Sequence, residues 1–204
     1  MSVLGAVLAG GRSTRFGAPK AIQTVGGVRV VDRVTRVLRD AGVDDVIGIV
    51  NDASLAVAIG LPHRADILRD VGALAGVHAA LVWARERGAE GVVAVACDMP
   101  FLEAALLRAL MDERAGADAV IPESDGPRGV EPLCAYYGVG CIPAIEEAAA
   151  RGDGRMIGFH GAVRVRRLPL ETVCMLGEPA LLFRNINSPV DHAAAERIAA
   201  GRGT

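Results

Sequence analysis

The sequence predicts an α/β fold in three layers, a mainly parallel sheet with helices on both faces. Three observations predict it. Aliphatic runs of strand length alternate with stretches of helical periodicity. The runs are continuous instead of alternating, as in strands buried on both sides. Their connections are short, and no repeat or low-complexity linker divides the 204 residues, a length that suits one domain spanning 1–204.

Val3-Leu4-Gly5-Ala6-Val7-Leu8 is the first buried strand. It breaks into Ala9-Gly10-Gly11-Arg12-Ser13-Thr14-Arg15-Phe16-Gly17-Ala18-Pro19-Lys20. Apolar residues at 30, 31, 34, 37 and 38 predict a helix over 30–39, with Gly42 as its stop. Val46-Ile47-Gly48-Ile49-Val50 reads as a strand delivering Asn51-Asp52 at its carboxyl end. Residues 53–62 are ambiguous, and a short strand is expected over 65–68, beside Asp66 and Asp70.

Gly72-Ala73-Leu74-Ala75-Gly76 opens a second helix, expected over 77–87 with Trp83 on its apolar face. Val92-Val93-Ala94-Val95-Ala96-Cys97 is the clearest strand and ends in Asp98-Met99-Pro100. A helix over 102–114, a strand over 117–122 and a polar loop over 123–129 follow. A strand over 133–137 comes next, then a helix over 142–150 with Pro143 in its first turn. A short helix is expected over 155–159 and an alternating strand over 162–168 with Arg164 and Arg166 on its polar face. Residues 180–183 lead to Arg184-Asn185-Ile186-Asn187-Ser188-Pro189, and a helix over 190–200 closes the chain.

Composition narrows the function. A net charge of -2 and 3% aromatic residues give no footprint for nucleic acid or an anionic membrane. No apolar run reaches the roughly 20 residues of a membrane span, and the first run lacks the basic flank of a signal peptide. Cys97, Cys134, Cys141 and Cys174 form no C-x-x-C pair, which suits reduced thiols. Together these predict a soluble, cytoplasmic protein.

In a parallel sheet, ligands sit beyond the carboxyl ends of the strands. The glycine loop, Asn51 and Asp98 each follow a strand, so one cleft should gather them. Gly10 and Gly11 carry no Cβ, which lets backbone lie against a ligand, and successive N–H groups there form an anion site. Arg12, Arg15 and Lys20 add three cations, a set suited to a polyphosphate. Lys20 is the only lysine among 22 basic residues, so a compact ammonium on a flexible stem is singled out there. Neither the P-loop nor the G-x-G-x-x-G spacing is present.

Beside such a loop, Asp98 reads as a hard oxygen ligand for Mg2+. Capping the helix that starts near Pro100 is the other role open to it. Asn51, with Asp66 or Asp70, could read a base or ribose, or serve ordinary turns, and Asn185 and Asn187 carry the same two readings. Histidines 63, 78, 160 and 192 show no metal-binding spacing and read as structural or surface groups.

Leu8-Ala9-Gly10-Gly11-Arg12-Ser13-Thr14-Arg15-Phe16-Gly17-Ala18-Pro19-Lys20 resembles the L-A-G-G-x-S-x-R-M-G-x-x-K signature of the nucleotidyltransferase superfamily, and within it the molybdenum-cofactor guanylyltransferase family. The resemblance extends over most of the chain. It takes in Gly26-Gly27, Leu74-Ala75-Gly76, Cys97-Asp98-Met99-Pro100, Pro132-Leu133-Cys134-Ala135, Arg155-Met156-Ile157 and Asn185-Ile186-Asn187-Ser188-Pro189. Phe16 stands where the family has methionine, and Ala73 where it has proline before L-A-G.

The resemblance implies a Rossmann-like sandwich that uses Mg2+ to transfer GMP from GTP to a molybdopterin-type phosphate, releasing pyrophosphate. Leu8, Ala9, Gly10, Gly11, Arg12 and Lys20 would hold the nucleotide, joined by Gly76, Asn185 and Asn187. Asn51 with Asp66 or Asp70 would read guanosine, Asp98 would bind Mg2+, and Lys20, Arg15 and Asp98 would act on the reacting phosphates. Arg155, Arg164 and Arg166 are candidate contacts for the acceptor, or equally members of an exposed arginine face. A transient contact with cofactor-inserting proteins is implied as well, while the oligomeric state stays open. Two alternatives are the same chemistry with CTP or another phosphorylated acceptor, and an inactive nucleotide-binding module.

Overall fold

Backbone pairing of the aliphatic runs builds one seven-stranded sheet and a separate two-stranded ribbon. A computed structural model describes residues 2–10 and 20–202. Its strands are β1 Val3–Leu8, the ribbon β2 Thr24–Val25 and β3 Val28–Arg29, β4 Val46–Ile49, β5 His63–Arg64, β6 Gly91–Ala96, β7 Ala119–Pro122, β8 Cys134–Gly138 and β9 Val165–Leu168. The helices are α1 Val30–Asp40, α2 Ala53–Ile59, α3 Ala73–Glu86, α4 Ala104–Asp112, α5 Ile142–Ala150, α6 Leu170–Leu176, α7 Pro179–Leu182 and α8 Pro189–Arg202.

The sheet runs β5-β4-β1-β6-β8-β7-β9, and β8 alone opposes the other strands. Because strand side chains alternate faces, β1 sends Val7 one way and Leu4 and Ala6 the other. On the Val7 face it packs against α1 through Val31, Val34 and Leu38, and against α4 through Leu106, Leu107 and Leu110. The opposite face receives α3 through Leu74, Val77 and Leu81, and α5 through Ile142 and Ile145. Both layers are aliphatic, and among the described residues the only fully buried aromatics are Tyr137 and Phe159. The Tyr137 hydroxyl donates to the Pro132 carbonyl at 2.7 Å, so its burial leaves no polar atom unpaired.

Several segments differ from the sequence reading, each for a local reason. Residues 53–59 form α2, because the Asp52 carboxylate accepts the Leu55 N–H at 2.7 Å and Gly60 ends the helix at φ 74°. The short strand comes earlier than 65–68. Ladder pairing with β4 stops at Ile49 and Arg64, after which the Asn51 side chain takes the Asp66 N–H at 2.8 Å. No helix forms over 155–159, since Asp153 folds back on the Arg155 N–H and guanidinium and closes a turn. α3 starts at Ala73, four residues ahead of the expected start. Trp83 lies at the edge of α3 between the guanidinium groups of Arg64 and Arg87, 5.1 and 5.9 Å from its ring centre, and is only half-buried. Among the described residues, no helix is long and apolar enough to cross a membrane.

Gly91 marks the tightest backbone approach in the sheet, where an added Cβ would stand 2.3 Å from the Tyr137 carbonyl oxygen. Neither strand can yield there without breaking the β6–β8 ladder. Gly91→Ala should therefore lower stability by about 3 kcal/mol, the upper range for overpacking, as read by chemical denaturation at unchanged m-value.

Candidate active site

The chain leaves β1 for β4 on one side and later returns to β6 on the other, which makes the carboxyl end of β1 a topological switch point. A cleft of about 310 Å3 opens there. Leu8, Ala9 and Gly10 extend β1 into it, held by Ala9 N–H to the Ile49 carbonyl at 2.9 Å. From β6, the Cys97 N–H reaches the Leu8 carbonyl at 3.1 Å and delivers Asp98 beside the same loop.

Lys20 and Asp98 face each other across this cleft, Nζ to Oδ2 at 3.9 Å, both side chains about one-fifth exposed at 21% and 20%. The ammonium is engaged elsewhere, donating to Asn187 Oδ1 at 2.7 Å. Asn187 is placed by two further bonds. The neighbouring Ile186 N–H donates to the Asp98 carbonyl at 3.0 Å, and its own N–H donates to Asp191 Oδ2 at 2.9 Å. Ser188 caps α8, accepting the Asp191 N–H at 3.2 Å. Asn185 lines the cleft from the same turn. Burial pushes the Asp98 carboxyl above the ordinary aspartate range, against the pull of the Lys20 charge. Asp98 does not cap α4, which starts at Ala104 after Glu103.

The other end of the cleft is built by Asp66, Gly10 and Gly76. Asn51 Nδ2 donates to Asp66 Oδ2 at 2.6 Å, which leaves Asp66 Oδ1 buried with no hydrogen-bond partner among the described residues. A Cβ at Gly10 would lie 3.6 Å from Asn51 Nδ2, and one at Gly76 would lie 3.6 Å from Asp66 Oδ1. The backbone of these two glycines thus lies close against the Asn51–Asp66 pair. Asp70, an exposed residue at φ 60°, is not part of the cleft wall, so Asp66 is the aspartate of the pair that reaches the site. Asn51 acts on it through Asp66.

Two wall residues escaped the sequence reading. Arg128 and Glu131 come from the β7–β8 connection. Because β8 runs antiparallel, its amino end lies at the same edge as the carboxyl ends of its neighbours. Burial raises the Glu131 carboxyl, while the Leu133 N–H, donated at 3.3 Å, and the Arg128 charge pull it down. Pro132-Leu133-Cys134-Ala135, already conspicuous in the sequence, was the available signal for this corner.

The arginines expected to meet an acceptor lie elsewhere. Arg164 and Arg166 bind Asp118 and Glu113 at the amino ends of β7 and β9, opposite the cleft, and Arg155 is taken by Asp153 at 2.8 Å. Gly11, Arg12 and Arg15 lie outside the described residues. No histidine is among the described residues of the cleft wall. His78 meets Glu146 at 3.1 Å, His192 Nε2 meets the Thr24 carbonyl at 2.7 Å, and burial pushes His160 down to about 4. Burial also pushes the Cys97 thiol, which lines the cleft, up to about 12, so it stays a neutral thiol.

Known proteins with a similar sequence and fold fall in one family. The chain matches the MobA-like NTP transferase domain over residues 5–165. It is 35% identical to a probable molybdenum cofactor guanylyltransferase of Pelotomaculum thermopropionicum, the match covering 98% of this chain and 94% of the relative. A relative of the same name from Opitutus terrae is also 35% identical, covering 96% of each. The crystal structure of molybdopterin-guanine dinucleotide biosynthesis protein A from Archaeoglobus fulgidus superposes with a TM-score of 0.78 at 30% identity, covering 98% of this chain and 100% of that one.

The raised Asp98 carboxyl carries a sign that can be checked on the ligand-free protein. The native state takes up this proton at higher pH than the unfolded chain, so the ionised group opposes folding above its native pKa and ceases to do so below it. Asp98→Asn should thus match or exceed the wild type in thermal stability at pH 7. The gap should narrow as pH falls through the raised pKa, as followed by circular dichroism.

Proposed function

This chain belongs to the MobA-like NTP transferase family of nucleotidyltransferase enzymes, and on that premise we propose that it transfers GMP from GTP to the phosphate of a molybdopterin acceptor, releasing pyrophosphate. The observation that carries the reading is the convergence of Lys20 and Asp98, 3.9 Å apart, on one cleft whose wall also holds the unpartnered carboxylate oxygen of Asp66.

The choice of guanine rests on Asp66. An ionised carboxylate only accepts hydrogen bonds, and Asp66 Oδ1 has no partner among the described residues. Guanine offers two donors on one edge, N1–H and the exocyclic amino group. Cytosine offers one donor, its exocyclic amino group, beside the N3 lone pair, so it can make only one of those two bonds. Asn51 keeps the carboxylate in register by holding its other oxygen.

Mg2+ fits the phosphate end. Among the described residues no group of three or more His, Cys, Asp or Glu side chains could hold a metal, so no all-protein cage exists. Magnesium commonly makes do with one or two carboxylates plus substrate phosphates. Asp98 suits that part, since it is buried and its cationic neighbour stands beyond hydrogen-bond distance. When bound there, Mg2+ would neutralise phosphate oxygens and order them.

The reaction asks little else of the protein. A phosphate monoester loses its second proton near about pH 6, so at neutral pH the acceptor is a dianion and needs no general base. One of its oxygens attacks the α-phosphorus in line. The new P–O bond forms as the bond to the bridging α–β oxygen breaks, and pyrophosphate carries that electron pair away. Lys20 offers its charge to the phosphate oxygens as negative charge redistributes, with Asn187 fixing the direction of the ammonium.

Lys20→Ala should lower turnover by about 10²- to 10³-fold, the scale of losing one charge-stabilising donor. Normal pyrophosphate release by that variant would remove Lys20 from the reaction. In thermal-shift titrations with Mg2+, GTP should stabilise the protein more than CTP, ATP or UTP. Asp66→Ala should erase that preference, and equal shifts by GTP and CTP in the wild type would refute the guanine assignment.

A further inference from the structure

We propose that Arg128 grips the phosphate of the acceptor at the mouth of a second chamber that extends the cleft between the β7–β8 loop and α7. This assignment rests on the phosphoryl-acceptor reading above and names the residue that would serve it. The chamber has a volume of about 400 Å3 and shares Arg128, Glu131 and Asn185 with the nucleotide cleft, so the two spaces meet across a common wall. Its far side is lined by Pro179, Ala180 and Phe183, an apolar face suited to the ring body of a flat heterocycle.

Direction favours this chamber as the acceptor's entrance. In-line transfer requires the nucleophile to approach opposite the leaving pyrophosphate. Pyrophosphate belongs beside the Lys20 ammonium, and the second chamber, whose wall includes Asn185 but neither Gly10 nor Lys20, lies apart from that charge. Arg128 therefore stands where the incoming dianion must pass.

The side chain is free for the task. Arg128 is exposed and makes no hydrogen bond or ion pair with the described residues, whereas Arg155, Arg164 and Arg166 are each committed to a carboxylate. Its backbone is not loose. Ser124 N–H donates to the Gly129 carbonyl at 3.1 Å and Gly129 N–H to the Gly126 carbonyl at 2.9 Å, closing a turn that Glu123 and Val130 pin at its base. The half-buried Glu131 feels the Arg128 charge without forming a close pair, which leaves the guanidinium fork open. A planar fork of donors matches a phosphate dianion in two parallel hydrogen bonds, which a lysine cannot reproduce.

The test uses wild type, Arg128→Ala and Arg128→Lys, with inorganic phosphate as the probe. Each protein is saturated with Mg2+ and a GTP analogue bearing a methylene in place of the α–β bridging oxygen, and phosphate is titrated while the unfolding midpoint is followed. Phosphate should raise the wild-type midpoint further, lose that effect in Arg128→Ala and keep part of it in Arg128→Lys. The shift caused by the analogue alone should be the same in all three. In turnover, Arg128→Ala should lower kcat/KM for molybdopterin by about 10- to 100-fold, the worth of a charged hydrogen-bonding pair, with the KM for GTP unchanged. A phosphate shift that survives in Arg128→Ala, or is absent from the wild type, overturns the proposal. Failure of the wild type to release pyrophosphate with molybdopterin would instead overturn the acceptor identity, and the phosphate titration would still decide Arg128.

Discussion

The site depends on the parallel pairing of β1 with β6. Their register aligns Leu8 with Ala96, and one hydrogen bond beyond the last ladder pair, from Cys97 N–H to the Leu8 carbonyl, brings both strand ends to a common level. Since parallel strands share direction, the residues that follow them must leave on the same edge. A glycine turn and a carboxylate far apart in sequence are thereby neighbours before any side chain acts. Slippage of one residue would turn each inward-facing residue of β6 to the other face, so the two packed layers hold this register in place.

On that frame the cleft has an unfinished charge balance. Asp98 and Glu131 are carboxylates whose protons burial holds more tightly than usual, while Lys20 and Arg128 supply cations that do not close on them as tight pairs. Desolvated charges of this kind are costly unless a ligand completes them. In the proposed reading, a triphosphate with a divalent cation would supply both missing signs at once. The same reading separates labour along the cleft. In it, charge is handled near Lys20 and Asp98, and identity near Asp66, whose unpartnered oxygen lies beside a residue without a Cβ.

Much of this was legible in the sequence because the informative residues sit at strand ends. The continuous aliphatic runs announced both the layers and the edge, so Gly10 and Asp98 could be placed in one cleft from their positions alone, while Asn185 and Asn187 were reached only through the resemblance. What was illegible depended on pairing that no periodicity encodes. The reversed direction of β8 put Glu131 and Arg128 at the site, and the ion pair of Arg164 with Asp118 took that arginine to the other end of the sheet. The choice between Asp66 and Asp70 turned on one side-chain bridge from Asn51, invisible without coordinates.

The last helix is fastened to the first loop region. His192 Nε2 meets the Thr24 carbonyl at 2.7 Å, and Gly26 N–H donates to Glu196 at 3.0 Å, just ahead of the contact between Lys20 and Asn187 that spans 167 positions. The sheet is complete once β9 has paired, and the pocket wall still lacks Asn185 and Asn187 at that point. That wall is finished only when the segment carrying Asn185 and Asn187 packs against residues near the start of the chain, so closing this pocket is a long-range event.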